Sequence, residues 1–251
     1  MAKRKSNRLN QALKDYAAYT RSPLQSVIFV LPVFLLYEGG LFLFNRSDVT
    51  GIRNGADVLL RQFYGLFGLY GFYAFAVSLL GILLFTFWLE YQREEKISLQ
   101  PNYFLGMLGE SVIYGVILFI FLSKIAAIDL QVAPVLELQT IQQLVLAMGA
   151  GIYEELVFRV LIVSGIATLM IVVARWKIHG AYGLGILLSA LVFSWFHYVG
   201  IYGDSFQVRT FLLRTIAGIV LSVLYVFRGF GITAYTHIFY DFIIILFVSN
   251  Q

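Results

Sequence analysis

Apolar residues run along this chain in seven long blocks, approximately 26–44, 66–89, 103–122, 141–174, 181–199, 209–227 and 231–249, separated by short polar joints. An α-helix rises 1.5 Å per residue and needs about 20 residues to cross the hydrocarbon layer of a bilayer, so each block is long enough to span. The ten-residue alternation of a transmembrane strand is absent. The pattern therefore predicts an all-α, polytopic transmembrane helical bundle of about seven spans. The fourth block is too long for one straight span, because a helix over 141–174 would reach about 50 Å. It is expected to tilt, to break near Gly149-Ala150-Gly151, or to emerge into water. Between the first two blocks, Arg53, Asp57 and Arg61 recur every four residues beside Val58, Leu59, Leu60, Phe63 and Tyr64. That spacing fits an interfacial amphipathic helix, and equally a solvated connecting helix with i,i+4 ion pairs.

Three polar constellations interrupt the apolar blocks: Glu154-Glu155-xxx-Arg159, Phe193-xxx-His197 and His237-xxx-Asp241. An ionised side chain at the bilayer centre costs roughly 2.5 to 3.5 kcal/mol on insertion scales, so such groups face a polar interior and usually act there. On a helix Glu155 and Arg159 are i,i+4 neighbours and can pair, whereas Glu154 points about 100° away and is left to face a cavity. A carboxylate in a partly dry pocket can serve as general base toward water. His197 could hold that water or shuttle its proton. His237 and Asp241 are again i,i+4, so the Asp is expected to orient the imidazole. The plainer readings are a buried structural ion pair for Glu155 and Arg159, and packing for Phe193. Glu38 and Glu110 also lie inside predicted spans and should pair or line water, with a structural role.

Composition agrees with the pattern. The chain of 251 residues is 60% hydrophobic and 13% charged, with a mean hydropathy of +0.82, against about 45–50% apolar and about 25% charged in soluble domains. With no Cys, thiolate nucleophiles, thiolate metal ligands and disulfides are excluded. The net charge of +4 does not indicate nucleic acid, since Lys3, Arg4, Lys5, Arg8, Lys14 and Arg21 gather ahead of the first span. Residues 1–25 read as a basic cytoplasmic tail, and 26–251 as one membrane-embedded domain with its motif-bearing core at about 140–245. Lys and Arg favour a cytoplasmic amino terminus by eleven to six across alternate sides, but the count falls to five against six without the tail.

The order EExxxR, FxxxH, then HxxxN or HxxxD on successive membrane helices resembles the CPBP family of intramembrane proteases, which includes type II CAAX prenyl endopeptidases and Abi proteins. The resemblance covers about residues 140–245. It implies peptide hydrolysis by a Glu-activated water, with Glu154 as the water-activating base, Glu155 and Arg159 as the supporting pair, and His197 as second ligand of the water. His237 and Asp241 then form the oxyanion side. Asp241 stands where relatives have Asn, whose amide could stabilise an oxyanion, so the Asp must be protonated or must act through His237. The implied partners are a membrane-anchored protein or peptide substrate and the lipid bilayer, and the implied location is a bacterial cytoplasmic membrane.

No cofactor is expected. Glu154, His197 and His237 could ligate zinc with an open position, but the HExxH spacing of zincins is absent. Measured along each helix from its cytoplasmic end, His237 lies about 9 Å deep and His197 about 24 Å, which conflicts with one shared site. A proton-coupled transporter and a non-catalytic immunity or scaffold protein are the alternatives.

Overall fold

A computed structural model describes residues 2–44, 53–68, 99–126, 140–200 and 203–247, with isolated positions between 81 and 92. The described residues form eight helices and no strand: α1 (Ala2–Arg21), α2 (Pro23–Phe44), α3 (Gly55–Gly65), α4 (Pro101–Ala126), α5 (Thr140–Val172), α6 (Ile178–Phe196), α7 (Val208–Arg228) and α8 (Phe230–Phe247). Six of them, α2 and α4 to α8, are long and apolar enough to cross a membrane. The predicted span at 66–89 lies largely outside the described residues. Leu35, Leu105, Ile113, Leu187, Leu212 and Phe227 are exposed. Apolar side chains on the outer face of such a bundle belong against lipid rather than water.

Helix α5 does not break at its glycines. It runs unbroken for 33 residues, and over Ala150–Val163 it is wound as a π-helix, whose i→i+5 bonds widen the turn. The glycines serve packing instead. A Cβ on Gly151 would stand 2.3 Å from Ile238 Cγ1 and 2.6 Å from the Ala234 carbonyl oxygen, so only Gly lets α5 and α8 approach this closely. Helix α8 also packs on α2, α4 and α7, and α5 on α2, α3 and α6. These two helices are the centre of the bundle. Gly229, at φ +82°, is the single residue between α7 and α8; a side chain there would be strained.

Within the expected tail, residues 2–21 form helix α1, and α2 already begins at Pro23. Tyr16 and Tyr19 of α1 pack edge-on against Tyr103, and Tyr16 donates to Glu110 at 2.8 Å. Glu110 also takes a two-pronged contact from Arg228, at 2.6 and 2.7 Å. The expectation that Glu110 pairs is thus met by a contact tying α1, α4 and α7 together.

Helix α3 combines both readings of its sequence. Asp57 receives Arg53 at 2.8 Å and Arg61 at 2.6 Å, the predicted i,i+4 pairs. Yet Asp57 is fully buried and also accepts from Tyr37, while Leu59 and Phe63 stay exposed. The charged face of α3 therefore docks on α2 and its apolar face points outward. Glu38 completes the cluster, accepting from Arg61 at 2.8 Å, Arg53 at 3.4 Å and Tyr153 at 3.2 Å. Burial alone would lower the pKa of Arg53, but Asp57 and Glu38 hold it above the ordinary arginine value.

Candidate active site

The π-wound stretch of α5 presents Glu154 and Glu155 to different surroundings. Tyr153 turns toward an apolar cavity of ≈ 380 Å³, lined also by Val30, Phe34, Leu60, Leu156 and Tyr225. Glu154 turns toward a second, polar cavity of ≈ 280 Å³ lined by Asn54, Gln143, His197, His237 and Asp241. The latter runs from Glu154 toward Gln143 near the start of α5 and Ile245 near the end of α8. It lies at the end of the bundle away from Arg21 and Arg228.

Glu155 is fully buried; one oxygen accepts a hydrogen bond and the other is held by an ion pair without hydrogen-bond geometry. Oε2 lies 3.0 Å from Arg159 Nε, and Oε1 accepts from His237 Nδ1 at 2.7 Å. Arg159 is itself fully buried, with its guanidinium carbon 4.5 Å from the centre of the Phe193 ring. That contact gives Phe193 a use beyond filling space, since an aromatic face attracts a desolvated cation. The same ring lies edge-on to His197 and His237, at 5.0 and 6.2 Å.

Two imidazoles are fixed by their acceptors. His197 Nδ1 lies 2.9 Å from the Phe193 carbonyl oxygen; a carbonyl can only accept, so Nδ1 carries the proton and Nε2 of the neutral ring offers its lone pair. His197 stands just beyond the end of α6, and enclosure away from water holds its pKa below the ordinary histidine value against the pull of Glu154. The loop after it is held by Asp204, whose N–H donates to the His197 carbonyl at 2.9 Å. His237 likewise directs its Nδ1–H to Glu155. Its Nε2 is 3.6 Å from Asp241 Oδ2, beyond hydrogen-bond length. The hydrogen bond that holds His237 comes from Glu155, and Asp241 faces the other ring nitrogen as an ion-pair partner.

All seven motif residues gather within this one region. The apparent conflict in depth arises from unequal helix starts. Gly185 meets Val163, so α6 has already advanced seven residues, about 10 Å, when it reaches that level. His237 meets Glu155 seven residues into α8, and eight residues of α5 separate Glu155 from Val163. Helix α8 thus begins roughly level with Val163, on the order of 10 Å deeper than α6.

One further residue belongs here that the motifs did not reveal. Asn54 Nδ2 donates to Glu154 Oε1 at 2.9 Å while its Oδ1 accepts from the Ala56 N–H and caps α3. The cap was legible, since Asn before a helical stretch is a preferred N-cap. The contact with Glu154, a hundred residues away, left no local signal.

Among the described residues no three His, Asp or Glu side chains stand close enough together to hold one metal ion, although His197 and His237, each with Nδ1 engaged, present the Nε2 side that ligating imidazoles use.

No curated protein and no solved structure matches the chain. Residues 136–243 match the family described as Type II CAAX prenyl endopeptidase Rce1-like. The match takes in α5, α6, α7 and most of α8, and with them all three motifs, but none of α1 to α4. Over that segment the chain is similar to the Rce1-like family of CAAX prenyl endopeptidases, in keeping with the CPBP group that its motifs resemble.

Proposed function

We propose that this protein is a CAAX-type intramembrane endopeptidase that hydrolyses a peptide bond near the terminus of a membrane-anchored protein or peptide, using water activated by Glu154. The observation that carries the proposal is the division of labour between adjacent carboxylates: Glu155 has both oxygens engaged, whereas Glu154 faces a cavity that His197 and His237 also line. Water between Glu154 and His197 Nε2 gives its proton to Glu154 as its oxygen adds to the scissile carbonyl carbon. His237, protonated on both nitrogens between Glu155 and Asp241, donates from Nε2 to the oxyanion. The carbon–nitrogen bond then breaks, and the proton held on Glu154 passes to the leaving amine. Asp241 in this scheme balances the charge of His237 and does not touch the oxyanion. The apolar cavity between α2, α3 and α5 supports a substrate that carries an apolar chain. The amino terminus is cytoplasmic in this proposal, as the basic residues of α1 favour.

The test is cleavage of an internally quenched, farnesylated peptide ending in a CAAX sequence by the purified full chain in lipid vesicles. Wild type should release the carboxy-terminal tripeptide, and Glu154→Ala, inserted equally well, should not. No cleavage by wild type, or full cleavage by Glu154→Ala, would sink the proposal.

A further inference from the structure

Glu154 has one hydrogen-bond donor from the protein among the contacts described above, and it comes from outside the matched segment. Asn54 precedes α3, and its amide is held on both sides: Oδ1 accepts from Ala56 N at 2.9 Å and Nδ2 donates to Glu154 Oε1 at 2.9 Å. With Oδ1 on a backbone N–H, the amide cannot flip without losing both bonds, so the donor face is fixed toward Glu154. The backbone is pinned as well. Asn54 N donates to Tyr37 Oη at 3.3 Å, and Tyr37 donates in turn to Asp57 at 2.9 Å. Asp57 is the buried acceptor of Arg53 and Arg61, which also reach Glu38. Gly55 packs below, where a Cβ would lie 3.3 Å from the Phe196 ring, one residue before His197.

We infer that Asn54 is a positioning residue for Glu154: its amide holds one carboxylate oxygen still and leaves the other for water, so that the docking of α3 through the Glu38–Asp57 cluster sets the geometry of the catalytic carboxylate. The inference rests on the proposed role of Glu154. It assigns a task to a charged cluster that the motifs do not include. A cap alone would not require Asn, because Ser and Asp cap helices as well. Ser cannot reach as an amide does, and Asp offers no donor.

The experiment is steady-state kinetics on the farnesylated quenched peptide with wild type, Glu154→Ala, Asn54→Ser and Asn54→Asp, each checked for monodispersity and melting temperature in the same detergent. Both Asn54 variants keep a capping oxygen and remove the amide donor. The expected result is a fall in kcat of about 10- to 100-fold, the usual cost of losing a residue that orients a catalytic ligand, with KM changed less than about twofold. Asn54→Asp should fall further, since it sets a second carboxylate against Glu154. Wild-type kcat in both variants would show Asn54 to be a helix cap only and overturn the inference while leaving the role of Glu154 standing. Inactive wild type would remove the reading on which it rests. If Asn54→Asp fails to fold, Asn54→Ser alone decides.

Discussion

Glu110 and Glu154 are both carboxylates inside membrane-spanning helices, yet their surroundings differ in kind. Glu110 is saturated: Arg228 grips both its oxygens and Tyr16 donates to one of them. It joins three helices and lines neither of the two cavities. Glu154 accepts from the Asn54 amide and otherwise looks into a cavity with two imidazoles. A half-buried carboxylate whose charge is balanced by a two-pronged Arg has little reason to take a proton from water. One that faces a polar cavity with a single neutral donor can do so. The contrast separates structure from chemistry more sharply than burial does, since both residues lie in apolar helices.

Substitutions test that contrast directly. Glu154→Gln keeps size and the hydrogen bond to Asn54 possible but removes the base, and cleavage of the farnesylated peptide should fall about 10⁴-fold, the upper end for general-base loss. Its melting temperature should stay close to wild type. Appreciable turnover would place Glu154 in the same structural class as Glu110. Glu155→Ala should act the other way, leaving Arg159 and His237 buried without their shared carboxylate; breaking such a pair costs about 3–5 kcal/mol. Thermal unfolding in detergent should show a large drop before any kinetic effect can be read.

His197→Ala should lower kcat about 10²-fold or more with an intact melting transition, which would set it with Glu154 and apart from the packing residues. The smallest effect belongs to Glu110→Gln. Loss of its charge-assisted bonds should cost about 1–3 kcal/mol of stability, read as a lower melting temperature, while kcat stays at the wild-type value. A fall in kcat there, with stability unchanged, would erase the distinction drawn between the two acids.

Much of the architecture was written in local patterns. The apolar blocks located α2, α4, α5, α6, α7 and α8 because a bilayer demands long helices with their backbone bonds satisfied internally. The i,i+4 charges of Arg53, Asp57 and Arg61 announced α3, and Glu155 with Arg159 announced their ion pair, because both relations depend on one turn of one helix. Local periodicity did not reveal the contacts made between helices. Asp241 lies one turn from His237, yet the imidazole turns to Glu155 on another helix, since a buried N–H takes the acceptor that packing brings nearest. The glycines at 149 and 151 suggested a break, but they mark close packing of α5 against Tyr37 and α8.

By itself, then, the sequence determined a helical membrane bundle, the identity of six polar residues with too much charge for their surroundings, and the resemblance to a protease family of the segment that holds them. The tertiary structure alone decided which of two adjacent glutamates is free to work, which carboxylate holds His237 by a hydrogen bond, and that Asn54 reaches Glu154 from a helix far away in the chain. The reason is physical. Segment type follows from interactions within a turn or two of backbone, whereas the task of a buried polar group is set by whatever partner the packing of other helices places within hydrogen-bond reach.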